Sequence, residues 1–133
     1  MNFRLLVMLF AVSTLTFIAC DDDGDNNMFS APNVTAPTDV QAAGNGETGL
    51  SVTFTVSVDA GLTASYEATG SNVSVSNPTG DVTGSSVTIN YDAGTTAGAA
   101  SITLTVTDTE GQSDEATAVI NIGEDPNTII VRE

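Results

Sequence analysis

The 133-residue chain contains no lysine, no histidine and no tryptophan, a single cysteine, and only two arginines, Arg4 and Arg132. Seventeen acids set against them give a formal net charge of -15. Without cations there is nothing to neutralise phosphates and release their counterions, so nucleic acid is excluded as a partner. Adhesion of the polypeptide itself to an anionic membrane surface is disfavoured for the same reason. A partner for such a chain is cationic, neutral, or bridged through a divalent metal. The missing histidine removes His-assisted serine or cysteine nucleophiles and most zinc sites. One cysteine allows no internal disulfide, so packing alone must hold the fold. Apolar residues make up 41% of the chain and aromatics only 5%, which leaves Val, Ile, Leu and Ala to build a core. Ser, Thr, Val and Gly abound, a composition of short strands and many turns. The length suits one domain.

The N-terminus departs from that composition. After Arg4, residues 5–19 carry no charge, and the run ends at Cys20. Spanning a bilayer as a helix takes about 20 apolar residues. This run is shorter and meets acids at once, so it reads as a signal peptide; the alternative is an uncleaved anchor. Four aspartates, Asp21, Asp22, Asp23 and Asp25, come after the cysteine. They cannot accompany it into a core, which removes the reading of Cys20 as a buried thiol. Dense like charge repels itself and stays solvated, so "DDDGDNN" is first of all a tether. The alternation of Asp21, Asp23 and Asp25 also suits a calcium loop, but no glutamate stands at the bidentate position.

The sequence "FIAC", residues 17–20, resembles the lipobox of bacterial lipoproteins, with Phe17 and Ile18 replacing the usual leucine and small residue. Relaxed forms of this kind are similar to those of Bacteroidota-type lipoproteins. The resemblance implies cleavage after Ala19, a diacylglycerol on the Cys20 thiol and acylation of the new amine. One acyl chain binds a membrane marginally at ~0.8 kcal/mol per buried CH₂, whereas two or more hold stably. The acidic run after the cysteine resembles the signal that sends such lipoproteins to the outer face of the outer membrane, which assigns Asp21, Asp22, Asp23 and Asp25 to export as well as tethering. The mature chain would keep one arginine and 17 acids, a side-chain charge of 1 - 17 = -16.

Residues 26–38 hold Pro32 and Pro37 among small residues and read as linker, with a first edge strand over residues 33–36. From there the hydrophobic period is two. "LSVTFTVSV", residues 50–58, places Leu50, Val52, Phe54, Val56 and Val58 on one face and hydroxyls on the other, a strand with one dry and one wet face. Asn45-Gly46 signals a tight turn between it and a short strand over residues 40–43. Further strands read at residues 64–70, 72–76 and 86–91. "TGSNVSVS" and "TGSSVTIN" are alike and predict two neighbouring strands. "SITLTVTD", residues 101–108, and "ATAVINI", residues 116–122, alternate in the same way around the turn "TEGQSDE". About seven strands in roughly 90 residues fit an all-β antiparallel sandwich of immunoglobulin type; a small barrel is the alternative.

"GAASITLTVTDTEGQSDEATAVINI", residues 98–122, resembles the last two strands of PKD-type and related bacterial Ig-like domains. The Trp and Gly-Asp-Gly turn of the PKD core motif are absent, and Ala100 stands where a tyrosine is common, so the likeness is PKD-like rather than PKD. It implies a non-catalytic spacer or an adhesion and interaction module. The organisation expected is a signal peptide at 1–19, a lipidated acidic tether at 20–33, the sandwich at 34–123 and a tail or linker at 124–133. Lipoproteins of this architecture often continue into a larger fasciclin-like or β-helical domain, and "NTIIVRE", residues 127–133, looks like the opening of another strand. The chain is therefore expected either to pair this segment back on the sandwich or to be the N-terminal piece of a longer surface protein. The location expected is the outer membrane, lipid-anchored and exposed at the cell surface.

Two further groups are candidates for binding. Asp108, Glu110, Asp114 and Glu115 surround one turn and could hold calcium, which takes six to eight oxygens; the alternative is a solvated turn that discourages edge pairing. Tyr66 and Tyr91 could stack on sugar rings of a glycan partner, with Phe29 and Phe54 the other aromatics after Cys20; a half-core tyrosine at a strand end is the alternative. Paired carboxylates for glycoside hydrolysis need a cleft, for which a lone sandwich has little surface, and the serines lack a base. No cofactor beyond the covalent lipid is expected, and no catalytic residue.

Overall fold

The computed structural model describes residues 29–124. They form nine strands: β1 (Asn33–Thr35), β2 (Gln41–Ala43), β3 (Leu50–Ser57), β4 (Ala64–Ser71), β5 (Val73–Val75), β6 (Thr79–Asp81), β7 (Ser86–Ala93), β8 (Gly98–Asp108) and β9 (Ser113–Ile122). One sheet has the order β1-β3-β7-β5 and the other β2-β9-β8-β4-β6. This is an all-β sandwich of Ig-like kind.

Alternation of apolar and hydroxyl residues creates the two layers. In β3, Val52, Phe54 and Val56 are buried while Ser51, Thr53, Thr55 and Ser57 are exposed. In β8, every second residue from Ala100 to Val106 is buried. Phe54, Ile89, Ile102, Leu104, Val106, Ala118 and Ile120 have no exposed surface and meet between the sheets. Alanines at 43, 64, 68, 93, 100 and 118 let the layers approach around these larger side chains.

Only the β8–β9 connection joins neighbours within one sheet; every other consecutive pair of strands lies in opposite sheets. Two expectations from sequence are corrected here. Residues 44–47 do turn, with the Glu47 N–H donating to the Gly44 carbonyl and Gly46 at φ 66°. The flanking strands are nevertheless not a hairpin, because β3 pairs with β1 and β7 while β2 runs parallel to β9 in the other sheet. The sandwich is thus antiparallel apart from this one pairing. Pro37 sits where the chain leaves β1 for β2 and cannot continue a ladder. The second correction is β6, an edge strand missed in "TGD" and paired with β4 at Tyr66↔Gly80. Gly80 is required there: a Cβ would lie 2.8 Å from the Tyr66 ring. The expected neighbours at residues 72–76 and 86–91 do pair, as β5 and β7.

All four sheet edges, β1, β5, β2 and β6, are three residues long, while the interior strands run from eight to eleven. Short edges offer little template for pairing with other chains. The registers also fix two poles. β1 lies against the end of β3, next to the β3–β4 loop, the β6–β7 loop and the β8–β9 turn. β9 ends at the opposite pole, beside the loops before β3 and before β8. The eleven residues of β8 separate the poles by roughly 35 Å at the usual strand rise.

Candidate functional site

The described residues contain no basic side chain. Among the described residues no carboxylate is matched by a side-chain cation, and several accept instead from backbone N–H groups, as charge-assisted hydrogen bonds. The entry pole shows this most clearly. Asp59 Oδ2, in the β3–β4 loop, accepts from the Ser30 N–H at 2.7 Å. Asp114 Oδ2, on β9, accepts from the Val34 N–H at 2.8 Å. Gln112 Nε2, in the β8–β9 turn, donates to the Phe29 carbonyl at 3.0 Å. Three separate elements thus clamp the segment through which the chain enters the sandwich, in addition to the β1–β3 pairing.

Asp108 shapes the turn that supplies the Gln112 clamp and leads into Asp114. Its Oδ1 accepts from the Glu110 and Gln112 N–H groups, both at 2.9 Å, and the Asp108 N–H donates to the Gln112 carbonyl. The side chain is 6% exposed, and its Oδ2 is buried without a hydrogen-bond partner among the described residues. Asp108 is therefore not the solvated turn residue that its neighbourhood in sequence suggests. It belongs to the inward-facing series of β8, as Asp114 belongs to that of β9, whereas Glu115 faces out and Glu110 is exposed in the turn. Strand alternation thus disperses the four acids considered for calcium. Among the described residues no group of three or more Asp, Glu, His or Cys side chains is placed to hold a metal.

The opposite pole is locked in the same manner. Glu47 Oε2 accepts from the Gly44 N–H at 2.6 Å and Asp92 Oδ1 from the Gly49 N–H at 2.8 Å. Asn45 and Asn72 donate to the carbonyls of Thr95 and Thr96. The Gly46 N–H donates to the Gly94 carbonyl and the Gly94 N–H to the Asn72 carbonyl. Gly94 has no room for a side chain, since a Cβ would lie 2.6 Å from the Asn72 oxygen. Asn72 itself takes φ 55°, a conformation asparagine tolerates better than most residues. Three loops are therefore tied into one rigid tip.

The tyrosines are not arranged as a sugar platform. Tyr91 is 2% exposed, inside the core, and its phenol is held above its ordinary pKa by burial first and by the Glu47 carboxylate second. Tyr66 is half-buried, its ring lying over Gly80 and its hydroxyl accepting from Asn77 Nδ2 at 3.2 Å. Phe54 is fully buried. On the outer face of the five-stranded sheet, two hollows of about 460 and 520 Å³ adjoin and share Ser65, Asp81 and Thr107. Hydroxyl and carboxylate side chains line them together with Tyr66, Gly80, Ala64 and Val82. The candidate lipidation and export residues, Cys20, Asp21, Asp22, Asp23 and Asp25, lie outside the described residues, as does the segment 127–133.

No family model matches the chain, and no curated protein matches it. Solved structures share its fold. A periplasmic chaperone, SfaE, is 9% identical, with 76% of this chain aligned to 59% of that one at a TM-score of 0.52. A nucleoside hydrolase-related protein of Saccharophagus degradans, associated with carbohydrate metabolism, is 21% identical, with 71% of this chain aligned to 26% of that one at a TM-score of 0.50. A lipoprotein of Bacteroides thetaiotaomicron is 12% identical, with 84% of this chain aligned to 98% of that one at a TM-score of 0.49. The chain spans about three-fifths of the chaperone and about a quarter of the hydrolase-related protein.

Proposed function

We propose that the chain is a non-catalytic lipoprotein of the cell surface, anchored in the outer membrane through Cys20, whose sandwich serves as a pedestal and presents its rigid tip for interaction. The observation that carries this reading is the clamped entry at one pole and the interlocked loops at the other. Cleavage after Ala19 and acylation of Cys20 would put the membrane on the entry side. Asp21, Asp22, Asp23 and Asp25 then act as export signal and charged stalk. From Cys20 to Phe29 an extended chain reaches at most about 30 Å, and the sandwich adds roughly 35 Å beyond it.

The clamps give the pedestal its mechanical logic. Tension from the anchor acts along the strand axis, so the β1–β3 ladder and the bonds from Asp59, Gln112 and Asp114 resist together rather than opening one at a time. The tip is then carried up to roughly 65 Å from the membrane.

The reading is tested by fractionating cells that express the wild type and Cys20→Ser. Wild type belongs in the outer membrane and is cleaved by protease added to whole cells; the variant should be soluble or unprocessed. Replacing Asp21, Asp22 and Asp23 with Ala should leave the anchor and lower protease access. Equal membrane association of Cys20→Ser and wild type contradicts the anchor, and equal shaving of the Asp variant contradicts the export role.

A further inference from the structure

The two sheets differ in the charge they present. In the four-stranded sheet β1, β3 and β5 hold no charged residue, and β7 brings only Asp92, at the tip. In the five-stranded sheet the registers gather two acids onto one patch. Ser65 stands between Thr107 of β8 and Asp81 of β6, and Glu67 stands between Thr105 and Thr79. All six share the outer face, as alternate residues of paired strands do. Glu67 and Asp81 are diagonal neighbours across the β4–β6 pair, about 7–8 Å apart.

The two adjoining hollows lie on this patch. Glu67 lines the first, Asp81 lies where they join, and Asp108 lines the second. The acids at the poles spend oxygens on backbone N–H groups, as Asp59, Asp114, Glu47 and Asp92 do. Glu67 and Asp81 have no such task and stand exposed. Asp108 is an independent sign. It is 6% exposed, and its Oδ2 has no hydrogen-bond partner among the described residues. A buried carboxylate oxygen left unpartnered is costly, and no described residue carries a positive side chain to offset it. The second hollow, whose wall Asp108 forms in part, is the space from which a positive group can do so.

The lining selects the kind of cation. Among the described residues no three acids close on one point as a metal would need. Two carboxylates set apart, with hydroxyls between and beside them, suit a planar guanidinium, whose five N–H donors reach acceptors on both sides. Hollows of about 460 and 520 Å³ take side chains rather than a bare ion.

We propose that this groove binds a basic segment of a partner protein, with one arginine held between Glu67 and Asp81 and a second basic side chain in the hollow against Asp108. The site is on the flank of the sandwich and depends neither on the lipid anchor nor on the tip.

The test is an NMR titration of the full chain in nonionic detergent micelles with the peptide acetyl-Arg-Gly-Arg-amide, and separately with calcium chloride at matched ionic strength. The Ser65, Glu67, Thr107 and Thr109 amides should shift together and saturate with the peptide, while Val52 and Ile89 in the other sheet stay in place. In Glu67→Gln/Asp81→Asn the Kd should rise at least about fivefold, the scale of two partly exposed ion pairs. Asp39→Asn/Glu124→Gln removes as much charge away from the groove and should change it less than about twofold, because salt screens distant charges. Equal weakening in the two variants means general attraction to an acidic chain and overturns the proposal. Calcium that moves the same amides and displaces the peptide marks a metal site and overturns it too, as does a peptide that shifts none of them.

Discussion

Asp114 Oδ2 accepts the Val34 N–H at 2.8 Å and so ties the last strand of one sheet to the first strand of the other, across 80 residues of sequence. The bond is typical of this molecule. Lacking cations among residues 29–124, its acids find backbone donors, and the donors chosen sit where the chain enters, turns or changes sheet.

Replacing Asp114 with Ala leaves the Val34 N–H without its acceptor in a partly buried position, which costs about 1–3 kcal/mol. Asp114→Asn keeps an oxygen in place and should recover most of that loss. Urea unfolding of both variants measures the difference. Equal loss in the two would show that charge at position 114, and not the acceptor, matters.

Asp108→Ala removes the acceptor for two N–H groups of the β8–β9 turn. We expect destabilisation of about 1–3 kcal/mol together with faster exchange of the Glu110 and Gln112 amides. Because Gln112 also holds the Phe29 carbonyl, the entry segment should become more sensitive to protease in the same variant.

Gly80→Ala sets a methyl group against the Tyr66 ring and should cost about 1–3 kcal/mol through overpacking. In a Tyr66→Ala background the same change should fall to within about 0.5 kcal/mol, the scale of independent sites. The double-mutant cycle therefore reads the Tyr66–Gly80 contact directly.

Tyr91 gives the stability a basic limit. Its folded pKa is raised, by burial and then by Glu47, above an unfolded value of 10.0. The folded state thus holds the phenol proton more tightly than the unfolded chain does. The contribution is complete below pH 10 and is lost as pH rises through the folded pKa. Unfolding midpoints should be level through neutral pH and drop above about pH 10, and Tyr91→Phe should remove this part of the fall.

The sequence made the sandwich legible wherever alternation was long enough to declare a face. Residues 50–58, 101–108 and 116–122 show their inward sets by inspection, and β3, β8 and β9 bury those sets. Three-residue edges were harder. β6 was hidden because Gly80 and Asp81 signal a turn, and only its partner Tyr66 explains the glycine. Asn45-Gly46 signalled a turn correctly, but a local signal says nothing about which sheet each flanking strand joins. Asp108 looked like one acid among four near a turn; its parity with Ile102, Leu104 and Val106 was the available sign that it points inward. The clamps from Asp59 and Asp114 join residues 29 and 80 positions apart and had no local signature at all.

The central claim is that the pedestal stands on a lipidated Cys20. Intact-mass analysis of the native chain extracted from membranes tests it most directly. The account predicts a chain beginning at Cys20 and heavier than its residues by a diacylglycerol and an amide-linked acyl group. A membrane-extracted chain that keeps residues 1–19 and carries a free thiol would contradict it.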